Sequence, residues 1–209
     1  MQKLLYLVMF SGPFSACMLA QDHAMDVFLG YSFVHASANQ GIPSFNADGG
    51  IGTFAFNINN NLAVEAEFGG YHNGNIGGTQ LDTTSATYLF GPRFSYGHNK
   101  RLNPYIHVLF GGRYATTSIA ATSVLIPVPN TGPVSSERYT ASQTNLAMAA
   151  GGGLDFRLSH SVTLRVFQVD YFLTRFEAPS VLNPAGQMQN RAQNDLRFAI
   201  GVAFNFGEE

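Results

Sequence analysis

The end of the sequence constrains the fold most. From Leu196 to Phe206 every second residue is large and apolar: Leu196, Phe198, Ile200, Val202, Phe204 and Phe206. The residues alternating with them are Asp195, Arg197, Ala199, Gly201, Ala203 and Asn205. A period of two puts each set on its own face of a β-strand, whereas a helix would scatter both sets around its axis. The pattern recurs along the chain. Val27, Leu29, Tyr31 and Phe33 share one face, as do Phe54, Phe56 and Ile58. Leu62, Val64, Ala66 and Phe68 stand opposite Ala63, Glu65, Glu67 and Gly69. Tyr88, Phe90, Pro92 and Phe94 stand opposite Thr87, Gly91, Arg93 and Ser95. Ile106, Val108, Phe110 and Tyr114 oppose His107, Gly111 and Arg113, and Leu146, Met148, Leu154 and Phe156 oppose Asp155 and Arg157.

One strand breaks the rhythm. Arg165 and Asp170 are an odd number of residues apart, so a regular strand cannot turn both to the same side. A β-bulge near Phe167–Gln168 would shift the phase by one and restore them.

Connections alternate in length. Asn57–Asn61, Gly97–Asn103 and Leu158–Ser161 are short; His35–Asp48, His72–Thr84, Thr117–Ser142 and Arg175–Gln193 are long. Tight turns at one end and long loops at the other are the pattern of an up-and-down transmembrane barrel. The expectation is an all-β chain: eight antiparallel strands of about ten residues, tilted about 40°, closed into one barrel and preceded by a signal peptide.

A soluble sandwich or ligand-binding barrel also alternates, with its large residues inward. Composition decides between the two. Charged residues are 11 % of the 209, against about 25 % in an ordinary soluble domain. Lysine occurs only at positions 3 and 100, although soluble sheets guard their wet faces with Lys and Glu. The face opposite the large residues mixes Gly and Ala with a few charges, which suits a narrow lumen filled by side chains. Expected localisation is therefore the cell outer membrane. A net charge of −2 gives no reason to invoke nucleic acid.

Lys3, the apolar run Leu4–Leu19 and the small residue Ala20 make 1–20 an expected secretory signal, leaving 21–209 as the barrel. Two alternatives stay open: lipidation at Cys17, and an uncleaved anchor, for which the run is shorter than the roughly 20 residues a spanning helix needs. Cys17 is the sole cysteine, so no disulfide is expected in the mature chain.

Several segments together resemble the outer membrane protein A-like transmembrane β-barrel family. They are Ala63–Tyr71, Phe90-Gly91-Pro92-Arg93, Gly151–Asp155, Arg165 with Asp170-Tyr171, and the aromatic-ended Arg197–Phe206. The resemblance implies a barrel embedded in outer-membrane lipid and inserted by the barrel-assembly machinery, and a closed barrel, with no free edge to pair, is expected to be a monomer. Two departures follow. The sequence stops at Glu209 with no peptidoglycan-binding domain expected. Gly207-Glu208-Glu209 also follows Phe206, where the family often ends on an aromatic residue.

Ten charged residues fall on the inward face: Glu65, Glu67, Asp155, Asp170 and Asp195 against Arg93, Arg113, Arg157, Arg165 and Arg197. Five of each sign could neutralise one another, as buried charges must. Asp155 should sit opposite Arg165 if the sixth and seventh strands turn around His160. A salt-bridged plug is the expected role, and a gate or ion path the alternative. No catalytic residue, cofactor or metal is expected. Gly50-Ile51-Gly52-Thr53-Phe54-Ala55 matches a dinucleotide fingerprint only loosely and lacks the helix that motif needs. His35 and His72, with Ser37 and Asp82 nearby in sequence, leave open a lipid-modifying enzyme at the outer rim. The apolar, Pro-rich Val124–Pro129 within 117–142 is either a contact surface for a partner or a loop folded over the barrel mouth. Function is thus expected to be structural or surface-interactive and not enzymatic, with a narrow porin-like channel as the alternative.

Overall fold

A computed structural model describes residues 25–37, 44–73, 81–96, 101–120, 138–177 and 190–207. The expected signal peptide and the segment Val124–Pro129 lie outside them. Eight strands follow one another: β1 (Met25–Ala36), β2 (Phe45–Asn57), β3 (Leu62–Asn73), β4 (Leu81–Ser95), β5 (Leu102–Ala120), β6 (Arg138–Arg157), β7 (Val162–Glu177) and β8 (Asn190–Phe206). Each pairs antiparallel with the next, and β1 closes on β8. The expected eight-stranded antiparallel barrel is borne out.

The register sets its shape. Pairing followed from Phe28 through Thr53, Glu67, Leu89, Gly111, Ala147 and Thr174 arrives at Gln193, whereas Phe28 itself pairs with Ala203. Closure therefore staggers β8 by the ten residues between Gln193 and Ala203. That stagger over eight strands tilts them by roughly 40°. An interior this narrow is filled by side chains.

Alternation resolves in the expected sense. Phe198, Ile200 and Phe204 are 43 %, 55 % and 40 % exposed, while Arg197 is 0 % exposed. The exposed set includes Leu29, Phe54, Val64, Phe68, Phe90, Phe110 and Phe167, so the apolar belt runs round the wall. On it, Phe68 meets Phe54 and Phe90 edge-to-face at 6.5 and 5.9 Å. Leu196–Phe206, at about 3.3 Å per residue and the tilt above, spans roughly 25 Å, the height of a hydrocarbon core. An apolar surface of this extent is unstable in water and stable in lipid.

The bulge is real. Asp155 pairs with Arg165 but Leu154 with Phe167, and the β7–β8 register skips from Arg165 to Gln168. Val166 and Phe167 are both exposed, so the extra residue is on the lipid side, and Arg165, Gln168 and Asp170 all turn inward. The strands correct one expectation: they run 12 to 20 residues rather than about ten. The excess is at the long-loop end, where pairing continues to Ala36↔Phe45 and Ala120↔Arg138 through sequence assigned to loops above. Ser and Thr there replace the outward apolar residues and keep the alternation in polar form.

At Gly111 the wall leaves no room for a side chain. A Cβ there would lie 1.9 Å from the Tyr88 carbonyl oxygen and 3.0 Å from the Leu89 Cα. Gly111→Ala should lower stability by about 1–3 kcal/mol, read as a fall in the urea midpoint of the refolded barrel. An unchanged midpoint would contradict this packing.

Candidate functional site

Charged residues inside the barrel form one continuous chain. Arg93 Nη2 donates to Asp155 Oδ2 at 2.6 Å. Asp155 also receives Arg165, through Nε to Oδ1 at 2.9 Å and Nη2 to Oδ2 at 3.3 Å. Arg165 Nη1 donates to Gln168 Oε1 at 2.8 Å, and Gln168 Nε2 to Asp170 Oδ2 at 2.7 Å. Arg197 reaches Asp170 Oδ2 through Nη2 at 2.6 Å and Nε at 2.9 Å. Its fork then engages Glu67, with Nη2 2.9 Å from Oε2 and Nη1 bonded to Oε1.

Two of these links join strands that are not neighbours in the wall. Glu67 is on β3 and Arg197 on β8, with β1 and β2 between them in the wall. Arg93 on β4 reaches over β5 to Asp155 on β6. A branch joins at His107 on β5, whose Nε2 is 2.9 Å from Asp170 Oδ1 and whose Nδ1 is 3.4 Å from Glu65 Oε1. Glu65, Glu67, Asp170, Arg165 and Arg197 are wholly buried. Aromatic rings cover the guanidinium planes: Arg93 and Arg165 stack on Tyr105 at 4.1 and 4.5 Å, Arg165 on Phe28 at 4.1 Å, and Arg197 on Phe172 at 5.5 Å. Arginine suits this place because its planar fork pairs bidentately at its edge while its faces stack. Charges this deeply buried need partners, and the chain supplies them to Glu67, Asp155, Asp170, Arg165 and Arg197, whereas Glu65 faces His107 Nδ1 at 3.4 Å without a hydrogen bond to either carboxylate oxygen.

Seven of the ten residues expected in the lumen meet here: Glu65, Glu67, Arg93, Asp155, Arg165, Asp170 and Arg197. The other three line cavities at the two ends of the cluster. Arg113 and Asp195 line a cavity of about 10 Å³ toward the long-loop end, with Tyr71 and Phe172. Arg157 lines one of about 20 Å³ toward the short-turn end, with Asp26 and Asn103 and with Arg93, Asp155 and Arg165 of the cluster. Each volume is about that of one or two waters.

Four inward groups were not assigned to the cluster from sequence: Asp26, Tyr105, His107 and Gln168. Tyr105 and His107 share the inward parity of Leu109, so period two marks them. Gln168 could be placed only once the bulge was fixed, and its link to Tyr105 OH at 2.8 Å depends on that phase. His35 and His72 face outward at the rim, where His35 Nδ1 meets Asn46 Oδ1 at 2.7 Å and His72 Nδ1 meets Thr84 Oγ1 at 3.3 Å. Gly50–Ala55 lies wholly within β2.

No protein family matches the sequence and no curated protein matches it. Solved structures do match. One is Ail, the attachment invasion locus protein of Yersinia pestis, at 14 % identity over 89 % of this chain and 100 % of that one, with a TM-score of 0.57. Another is Neisserial surface protein A, at 12 % identity over 88 % and 97 %, with a TM-score of 0.59. The chain has the fold of the small outer-membrane β-barrels. The resemblance of its strands to the outer membrane protein A-like barrels is thus borne out as one of fold. A closed barrel with an apolar belt has its place in an outer membrane.

Proposed function

We propose that this outer-membrane barrel serves a structural or surface-interaction role, with its lumen closed by its own charged side chains. The observation that carries the reading is the unbroken chain from Arg93 to Glu67. It crosses a lumen whose cavities near it hold about 20 and 10 Å³. A solvated ion entering such a path must break paired, desolvated contacts. A contact with another molecule through residues 117–142 belongs to the same proposal. So does a monomeric state, since a closed barrel leaves no wall strand free to pair. No catalytic role is part of this proposal: His35 Nδ1 meets the Asn46 side-chain amide at 2.7 Å, and His72 Nδ1 meets the Thr84 hydroxyl at 3.3 Å.

A narrow porin-like channel is the second reading. The cavity lined by Arg93, Asp155 and Arg165 favours it, because it brings water-sized space up to the charged chain. Planar-bilayer recording separates the two. The wild-type barrel should show no steady unitary conductance, and Arg93→Ala and Glu67→Ala should each raise the open probability. Steady wild-type conductance that either variant alters would establish the channel. Steady conductance that neither alters would remove the charged chain from the permeation path.

A further inference from the structure

His107 of β5 stands between two carboxylates. Its Nε2 is 2.9 Å from Asp170 Oδ1 on β7, and its Nδ1 is 3.4 Å from Glu65 Oε1 on β3. The ring and both acids are buried. Room for this bridge is built into the wall. Gly151 is the β6 register partner of His107, and a Cβ there would lie 2.2 Å from Asp170 Oδ1, the oxygen that the imidazole meets. The β4 register partner is Arg93, whose guanidinium turns to Asp155. On β5 itself the Tyr105 ring packs edge-to-face with the imidazole at 5.7 Å.

Geometry and charge balance together assign the protons of this ring. A carboxylate only accepts hydrogen bonds, so Nε2 donates to Asp170. A neutral ring would then present the Nδ1 lone pair to Glu65, setting two electron-rich atoms against each other in a buried place. A proton on Nδ1 turns that repulsion into attraction. The count of charges agrees. The cluster holds four carboxylates, Glu65, Glu67, Asp155 and Asp170, and three guanidiniums, Arg93, Arg165 and Arg197. The two end cavities add one acid and one arginine each, Asp26 with Arg157 and Asp195 with Arg113, and leave the difference unchanged. An imidazolium at His107 supplies the fourth positive charge. Among the described residues His107 is also the sole ion-pair partner of Glu65, neither of whose carboxylate oxygens has a hydrogen bond.

We propose that His107 is a proton-operated latch on the closed lumen: as an imidazolium it ties β3 to β7 through Glu65 and Asp170, and loss of its Nδ1 proton to solvent strands the Glu65 carboxylate and admits small cations. A stranded buried anion is relieved only by a counter-charge or by water entering beside it. The inference rests on the closed-lumen reading proposed above. It would be tested by planar-bilayer recording in potassium chloride while the pH is raised from about 6 to about 10, past the range in which histidine ordinarily loses its proton. Wild type should be closed at the lower end. At the upper end its open probability should be higher by about tenfold or more, with a cation-selective reversal potential, since a stranded buried charge shifts such an equilibrium at least that far. The charge count sets opposite outcomes for two variants. His107→Gln should conduct at every pH, because the fourth cation is gone. Glu65→Gln should stay closed at every pH, because three carboxylates then balance three guanidiniums. Nitrogen-15 spectra of the His107 ring should show both nitrogens protonated while the lumen is closed.

A wild type that stays closed throughout, a folded His107→Gln that stays closed, a pH response that Glu65→Gln retains, or a singly protonated ring in the closed state would each overturn the latch and leave the plug in place. Steady wild-type conductance at about pH 6 would instead strike the closed-lumen reading itself. Heat-modifiable gel migration reports separately that each variant has folded as a barrel. Should His107→Gln not fold, the pH series of wild type and Glu65→Gln still decides.

Discussion

Arg197→Ala should cost this barrel about 3–5 kcal/mol of stability, a loss on the scale of breaking a buried ion pair from one side. Arg197 is wholly buried and joins Glu67 of β3 to Asp170 of β7. Its removal leaves two carboxylates facing each other across a lumen with little room for water. Asp170 keeps His107 Nε2 and Gln168 Nε2. Glu67 has no other hydrogen bond or ion pair among those described, so most of the loss should fall on it. The measurement is urea unfolding of the refolded barrel in lipid vesicles, followed by tryptophan-free near-ultraviolet signals and heat-modifiable migration. A second change separates charge from packing. Glu67→Gln in the Arg197→Ala background should recover part of the loss, giving a coupling of about 0.5–3 kcal/mol. Arg197→Lys should fall in between, because an ammonium keeps the charge but lacks the fork that meets Glu67 and Asp170 together. An Arg197→Ala midpoint equal to wild type would mean that the pairs crossing the lumen do not hold the strands in place.

The sequence revealed the wall more fully than the contents of the barrel, and the reason is physical. A lipid-facing position asks only for a large apolar side chain, so one face of each strand repeats the same requirement and leaves a pattern of period two. The strand count and the bulge in β7 follow from that pattern, and the low charge content and scarcity of lysine turn Phe198 and Ile200 outward. The bulge was legible because Arg165 and Asp170 could not otherwise share a face. The lumen imposes no repeat. Which carboxylate meets which arginine depends on stagger, and stagger is a property of closure that no single strand records. Asp155 opposite Arg165 was accessible because one tight turn relates β6 to β7. Glu67 with Arg197 was not, since the pair is 130 positions apart in sequence and meets only after the sheet has closed. The extensions of β5 and β6 beyond the belt escaped notice for a related reason. Once both faces meet water or polar lumen, alternation loses its contrast and a strand reads as a loop.

The same reasoning fixes what a charge on the outside should do. Ile200 lies halfway along the apolar face of β8, with Phe198 and Val202 on either side and Tyr31 across on β1. Ile200→Arg puts a guanidinium near the middle of the hydrocarbon, at an expected cost of about 2–4 kcal/mol. Its long stem allows the head to reach toward the interface, which is why the cost stays well below full ionic transfer. Ser142→Arg is the matched control. It also faces outward from a strand, but on the part of β6 beyond Tyr114 and Leu146, where Thr116 and Ser142 have replaced apolar residues. There the cost should be about 0–1 kcal/mol. Both variants would be compared by urea midpoint in phospholipid vesicles and then in detergent micelles, where the Ile200→Arg penalty should shrink as water reaches the arginine more easily. Equal midpoints for the two variants in vesicles would mean that position along the strand does not set depth in the membrane. A larger loss for Ser142→Arg than for Ile200→Arg would invert the wall, placing the belt in water and the polar extension in the core. The two faces of one strand thus carry opposite requirements: Arg197 must stay charged because its neighbours in the lumen are acids, and Ile200, three residues on and pointing the other way, must stay uncharged because its neighbours are acyl chains.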